Sequence, residues 1–205
     1  MTLLNESEQR RVAEAITQVE RETDAELVTV LAARADDYTY ISVLWASLIA
    51  LIVPGAINYY PGWLNPHELL LTQWITLVVL GLVFRIPAIT TRLVPRQVRC
   101  WRASNLARRQ FLEHNLHHTQ AETGMLIFVS EAERYVEILV DRGISQKIGD
   151  ETWQAIIATF TKQVRSGQTL QGFLTCIEAC SEHLKQHVPA THTRNELPDR
   201  LIILP

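Results

Sequence analysis

Sharp catalytic signatures are missing from this chain. It holds no glycine-rich phosphate loop, no G-x-S-x-G elbow, no H-E-x-x-H and no paired C-x-x-C, which removes the nucleotide-cradling, serine-hydrolase and zinc chemistries that those spacings serve. Cysteine is scarce as well. Cys100, Cys176 and Cys180 leave at least one thiol unpaired, and Cys176 and Cys180 fall one helical turn apart on an apolar face. The three read as reduced core residues in a reducing compartment. There is no basic excess: the formal net charge is -3, which argues against a general nucleic-acid binder. The first residues lack a basic stretch followed by an apolar run, so no cleaved signal peptide is expected and the first apolar span must direct insertion itself. No internal repeat or low-complexity run is present.

Charge is absent where it matters most. No charged side chain occurs from Tyr38 to Pro66, and after His67 and Glu68 the chain is again uncharged from Leu69 to Phe84. Two spans result, Tyr40–Ile57 and Leu69–Pro87, each roughly 27–28 Å long as a helix and close to the ~30 Å hydrocarbon core of a bilayer. The pattern predicts a transmembrane hairpin. A buried helical hairpin in a soluble core is the alternative, but no other segment is apolar enough to cover two helices that are hydrophobic all round. Between Arg85 and Arg109 lie seven arginines (Arg85, Arg92, Arg96, Arg99, Arg102, Arg108 and Arg109) and no acid, whereas Pro54–Glu68 has no Lys or Arg. The positive-inside rule puts the Arg-rich side, and with it both termini, in the cytoplasm. Tyr59, Tyr60 and Trp63 on one side, and Tyr38, Tyr40 and Trp101 on the other, suit the headgroup layers. The arginines make an anionic inner leaflet the expected lipid partner, at about 1 kcal/mol each. Ala46, Ser47 and Ala50 are small enough to let the first span pack on the second, or on another subunit.

The segments around the hairpin need one another. Asn5 and Glu8 form a capping box ahead of a helix over 6–21 with Val12, Ile16 and Val19 on one face. Ala25–Ala32 reads as an interior strand. One helix and one strand bury no core alone, so their partners must follow the hairpin on the same side of the membrane. Pro95 leads into a long helix, about Arg96 to His118, with Trp101, Phe111, Leu112 and Leu116 as apolar contacts. Met125–Ser130 and Tyr135–Val140 are strands joined by the polar link Glu131–Arg134. Asp150 can cap a helix carrying Trp153, Ile156, Ile157, Phe160 and Val164, and Ser166-Gly167 separates it from a last helix with Leu170, Phe173, Leu174, Ile177 and Leu184. Leu201–Leu204 offers a short edge strand. The order is αβ, hairpin, αββαα, with the first two strands parallel and the third antiparallel. The domains expected are residues 1–37 and 96–188 as two parts of one α/β domain, 38–95 as the hairpin and its Arg-rich flank, and 189–205 as a tail.

Four stretches carry a family resemblance. They are Glu20–Val30, Thr123–Ser130, Val136–Ile144 and Asp150 at the head of its helix, in that order. On these the chain resembles the TPM domain (TPM phosphatase-like) family, and most of all the bacterial membrane subfamily in which a hairpin interrupts the domain, including its Asn195–Asp199 tail. The resemblance implies an α/β/α sandwich with a small mixed sheet, and an inner-membrane location. It leaves the chemistry open among acid phosphatase action, divalent-metal binding and the assembly or repair of membrane complexes.

Two clusters are candidates for chemistry. The topology puts Asp24 and Glu26 at the start of the first strand, Glu122 before the second and Asp141 after the third at one sheet end, with Asp150 close behind. Such carboxylates can hold Ca²⁺ or Mg²⁺, and a bound metal can polarise a phosphoryl group. They are equally explained as helix caps and solvated strand ends. His114 and His118, spaced i and i+4 beside Glu113 and His117, can offer imidazoles to a transition metal, or simply complement a helix C-terminal dipole. Two functions follow: a membrane-tethered module that binds a protein partner in the membrane, or a metal-assisted phosphohydrolase built on the acidic rim.

Overall fold

The computed structural model describes residues 4–59, 65–86, 89, 93–191 and 201–204. They form two compact units, one drawn from 1–35 with 100–205 and the other from 36–99. Tyr60, Trp63, Arg92 and the Asn195–Asp199 tail lie outside the described residues.

In the first unit, helix α1 (Glu6–Glu22) starts with the expected capping box. Asn5 Oδ1 accepts from the Glu8 amide at 2.9 Å while the Asn5 amide donates to Glu8 Oε2 at 2.8 Å, so two orphan donors of the first turn are satisfied together. Val12, Ile16 and Val19 are its buried stripe. Strand β1 (Glu26–Ala32) is buried along its whole length. It lies between β2 (Gly124–Ser130) and β4 (Leu201–Leu204), both parallel to it, while β3 (Tyr135–Val140) runs antiparallel to β2; the order is β3-β2-β1-β4. A strand with neighbours on both sides and helices on both faces is mostly apolar, which is why the apolar residues of Leu27–Leu31 face both ways around the one buried Thr29.

The side chains of β1 alternate between two cores. Leu27 and Leu31, with Met125, Ile127 and Val129 of β2, meet α1 and the antiparallel pair α6 (Asp150–Arg165) and α7 (Thr169–His187). Here Phe160 and Phe173 meet edge to face, with ring centroids 5.1 Å apart. Val28, Val30, Leu126 and Phe128 turn the other way, onto α4 (Arg96–Glu113). The result is an α/β/α sandwich around a four-stranded mixed sheet.

Helix α4 corrects two expectations. It ends at Glu113 rather than His118, because Asn115 takes a left-handed φ of 56° and Leu116–His118 closes as a separate 3-10 turn. Its buried face is Ala103, Ala107 and Gln110, whereas Trp101 and Leu112 are exposed. Small residues let this helix lie close on the sheet, Leu106 and the expected Phe111 pack at the flanks of that contact, and Trp101 and Leu112 are left on the outer side. Close approach recurs at Gly124, where an added Cβ would stand 2.0 Å from the carbonyl oxygen of Leu116. A short helix α5 (Arg142–Ser145) follows β3.

The second unit is built on α2 (Thr39–Ile57) and α3 (Pro66–Val83), packed against each other. Both are long and apolar enough to cross a membrane. Asn65 and Glu68 cap α3 as Asn5 and Glu8 cap α1. The buried residues of α2 are Ile41, Ser42, Ala46 and Ala50; Ser47, expected beside Ala46 on the packing face, is exposed. On α3 the less exposed stripe runs through Leu69, Thr72, Gln73, Thr76, Leu77 and Leu80, while large apolar side chains such as Leu51 (67% exposed) and Leu82 (62%) point outward.

Candidate functional site

The amino ends of the parallel strands come first, since four of the five candidate carboxylates belong there. Glu26 stands in register with Gly124, and the Gly124 carbonyl accepts from the Asp141 amide at 2.9 Å. The Glu122 carbonyl accepts from the Gly143 amide at 2.8 Å. The backbones of β1, β2 and β3 therefore do meet at one sheet end.

Their side chains are engaged separately. Asp24 holds the chain beyond α7: Oδ1 accepts from the Thr191 amide at 2.8 Å and Oδ2 from the Thr191 hydroxyl. Its own carbonyl accepts from Thr123 Oγ1 at 2.6 Å. Glu26 is buried at the start of β1, in phase with Val28 and Val30. Glu122 is exposed, on a residue with φ 54°. Asp141 caps α5 through Oδ1, which accepts from the Arg142 amide at 2.8 Å, and its Oδ2 is buried without a hydrogen-bond partner. Asp150 is not a cap: Gly149 holds that position, and Asp150 opens the first turn of α6, where its charge faces the positive end of the helix. Among the described residues, no group of three or more His, Cys, Asp or Glu is placed to hold a metal ion.

The histidines are likewise dispersed. His114 Nε2 lies 3.1 Å from Gln110 Oε1, and His118 sits beyond the break at Asn115, so the two do not share one helical face. The rings of His117 and His118 lie against each other instead, tilted by 45° with centroids 4.0 Å apart. All three cysteines are free; Cys176 and Cys180 are buried, but Cys100 is half-buried rather than a core residue. A hydrogen bond with Cys176, then burial, holds the Cys180 thiol well above its ordinary range.

The opposite sheet end holds what the sequence pattern hid. Glu131 and Glu133, 8% and 7% exposed, sit in the turn between β2 and β3, closed by Arg134 at φ 51°. Glu133 Oε2 accepts from the Ala35 amide at 3.1 Å and from the Ser130 hydroxyl. Glu131 Oε1 accepts from Thr169 Oγ1 at 3.4 Å. Backbone bonds Glu131 N to Ala32 O and Ala132 N to Ala33 O, each 3.0 Å, complete a latch on the chain just before residue 36, where the first unit ends. Beside it opens a cleft of about 1140 Å³, lined by Asn5, Glu8, Glu131, Arg134, Arg165 and the first turn of α7. The outer carboxyl ends of parallel strands are where open α/β sheets present ligands. A charged turn ordinarily reads as solvated loop, so only the apolar run Met125–Val129 just before it hinted that these two carboxylates would be enclosed.

A third polar group lies on the edge strand β3. Ser104 Oγ donates to Glu137 Oε1 at 3.1 Å. Burial pushes the Glu137 carboxyl above its ordinary range, against the hydrogen bonds of Ser104 and Tyr135 and the charge of Arg108. The neighbouring Tyr135 phenol is pushed up to about 12, first by burial and then by the Glu137 charge.

Comparison with known proteins agrees with this architecture. Residues 94–183 match the TPM domain family. No curated protein matches the chain in sequence. Among solved structures it is similar to the NMR structure of the BA42 protein from the psychrophilic bacterium Bizionia argentinensis, with a TM-score of 0.62 and 16% identity, covering 98% of this chain and 96% of that one. At that identity the likeness is one of fold. With a sequence match over residues 94–183 and a shared fold over nearly its whole length, the chain carries a TPM domain.

Proposed function

We propose that this protein is a membrane-anchored TPM-domain protein, held in the inner membrane by α2 and α3 with both termini cytoplasmic. Its α/β domain would serve as a binding or assembly module for a protein partner in that membrane. The observation that carries the reading is the inside-out packing of the second unit. Ser42, Ala46 and Ala50 are buried beside Ile41, and Thr72, Gln73 and Thr76 are partly covered beside Leu69, Leu77 and Leu80, while most of the large apolar side chains, Leu51, Ile52, Trp74, Ile75 and Leu82 among them, face outward. Small and polar residues at the helix contact with large apolar ones outside is the arrangement that lipid favours and water opposes. No Asp, Glu, Lys or Arg lies within Thr39–Ile57 or between Leu69 and Val83. Intramembrane ionisable groups mark ion and substrate paths, so their lack favours an anchor over a conduit. Arg85, Arg96, Arg99 and Arg102 after the second helix support the orientation.

A second reading, a divalent-metal-assisted phosphatase-like hydrolase, rests on Asp141 Oδ2, a buried carboxylate oxygen without a partner at the sheet end shared with Glu26 and Glu122. Two measurements separate the readings. Reporter fusions at position 62 and after Pro205 should report opposite compartments; a periplasmic signal from the carboxy-terminal fusion would refute the orientation. Hydrolysis of an aryl phosphate in Mg²⁺ or Ca²⁺ should not depend on Asp141. Turnover abolished by Asp141→Asn would favour the hydrolase.

A further inference from the structure

In the α/β domain the helices are unequally shared. Helices α1, α6 and α7, with the short α5, cover one face of the sheet, whereas α4 is the one α-helix on the other, joined there by the 3-10 turn at Leu116. Among the described residues of that domain, the only large apolar side chains left exposed are Trp101 (58%) and Leu112 (56%), and both lie on α4. At 100° per residue, Trp101, Arg108 and Leu112 fall within about 20° of one line, so they form a single outward stripe about 16 Å long. Arg102 packs its guanidinium 5.0 Å from the Trp101 ring centre, Arg108 is exposed within the stripe and Arg109 is exposed beside it. The one acid on α4, Glu113, is paired with Arg109 at 2.7 Å.

The geometry points to the outer face of α4 as a docking surface for the headgroup layer of an anionic bilayer. The inference rests on the membrane-anchor reading and deepens it. Charge complementarity selects the occupant. An indole and a leucine between arginines suit the boundary of phosphate and acyl chain, where Trp is enriched and each Arg gains from negative lipid. Continuity also favours it. About a dozen residues separate Val83 from Arg96, at most roughly 45 Å of extended chain, so α4 begins within reach of the surface from which the second span emerges. Docking there would fix the domain's orientation to the membrane, so that lipid composition sets which face a partner meets.

The test uses the full chain in nanodiscs, spin-labelled at Leu112→Cys in a Cys100→Ser background, with a water-soluble nickel chelate reporting exposure. In discs of phosphatidylcholine with phosphatidylglycerol the label should be shielded from the chelate. In phosphatidylcholine alone it should be open, and a control label at the exposed Glu182→Cys should be open in both. Replacing Arg102, Arg108 and Arg109 together by Gln should move the docked-to-free ratio on the order of a hundredfold toward the free state. Equal exposure in both discs, with the chain retained by the disc, would overturn docking and leave the anchor reading standing. Shielding that persists undiminished in phosphatidylcholine would overturn the anionic assignment, and shielding with label-to-label coupling in detergent would assign the face to a second copy. A chain that leaves the disc in alkaline carbonate would overturn the anchor reading, and docking with it.

Discussion

Removing Asp36–Arg99 and joining Ala35 to Cys100 through a short Gly/Ser linker should yield a soluble domain that folds cooperatively. Neither apolar cluster of the α/β domain contains a residue from that segment, so the excision opens no cavity in either core. The third cluster, of Tyr38, Ile41 and Val94, leaves with the segment that contains it. Topology makes the join short. β1 and β2 are parallel with α4 between them, so α4 must start near the carboxyl end of β1 and return to the amino end of β2. What remains is closure entropy, which grows as (3/2)RT ln n. Linkers of about 12 and about 48 residues should therefore differ by about 1.2 kcal/mol, the shorter being the more stable. At a slope of about 2 kcal/mol/M in urea, that difference moves the midpoint by about 0.6 M with the slope unchanged. Urea unfolding followed by both far-UV circular dichroism and the fluorescence of the two remaining tryptophans, the exposed Trp101 and the buried Trp153, is the assay. Non-coincident transitions, or a loss of more than about 3 kcal/mol on shortening the linker, would show that residues 36–99 belong to the core and that the split-domain account fails.

Further outcomes follow in the same excised domain. Gly124→Ala, whose new Cβ would stand 2.0 Å from the Leu116 carbonyl oxygen, should cost about 3 kcal/mol, at the upper end of overpacking; a midpoint unchanged in thermal melts would mean the 3-10 turn yields freely. The Glu137 carboxyl is raised by burial, so its contribution is fully present below the ordinary carboxylate range and is lost as pH rises through the raised value. Glu137→Gln, neutral throughout and still able to accept from Ser104, should gain stability over the parent between pH 4 and pH 7; a difference that does not vary with pH would refute this. Any calorimetric titration with Ca²⁺ or Mg²⁺ should be weakened by Asp141→Asn and unaffected by His118→Ala, and the reverse pattern would return the site to the histidines.

Much of the fold was legible because periodicity and burial agree. Val12, Ile16 and Val19 face one core, the mostly apolar run of β1, interrupted only by Thr29 between Leu27 and Ala32, marks a strand covered on both faces, and the parallel β1–β2 pairing follows from the helix between them. The site was less legible, for two physical reasons. On α4 the eye goes to Trp101 and Leu112, yet the face that packs is set by Ala103 and Ala107, because distance to the sheet favours small residues over large ones. In the β2–β3 turn, Glu131 and Glu133 look like solvated charge, and only the tertiary contacts with Ala35, Ser130 and Thr169 enclose them. Likewise the helical spacing of His114 and His118 held only while the helix did, and a single left-handed residue at Asn115 ended it.

The central claim, that Thr39–Ile57 and Pro66–Val83 cross a bilayer, is tested most directly by alkaline carbonate extraction of membranes from cells expressing the full chain beside the form lacking residues 36–99. The full chain should remain in the membrane pellet at pH 11 and be released only by detergent, while the excised form should be recovered in the soluble fraction before any extraction. A full chain freed by carbonate alone would contradict the membrane-anchored account.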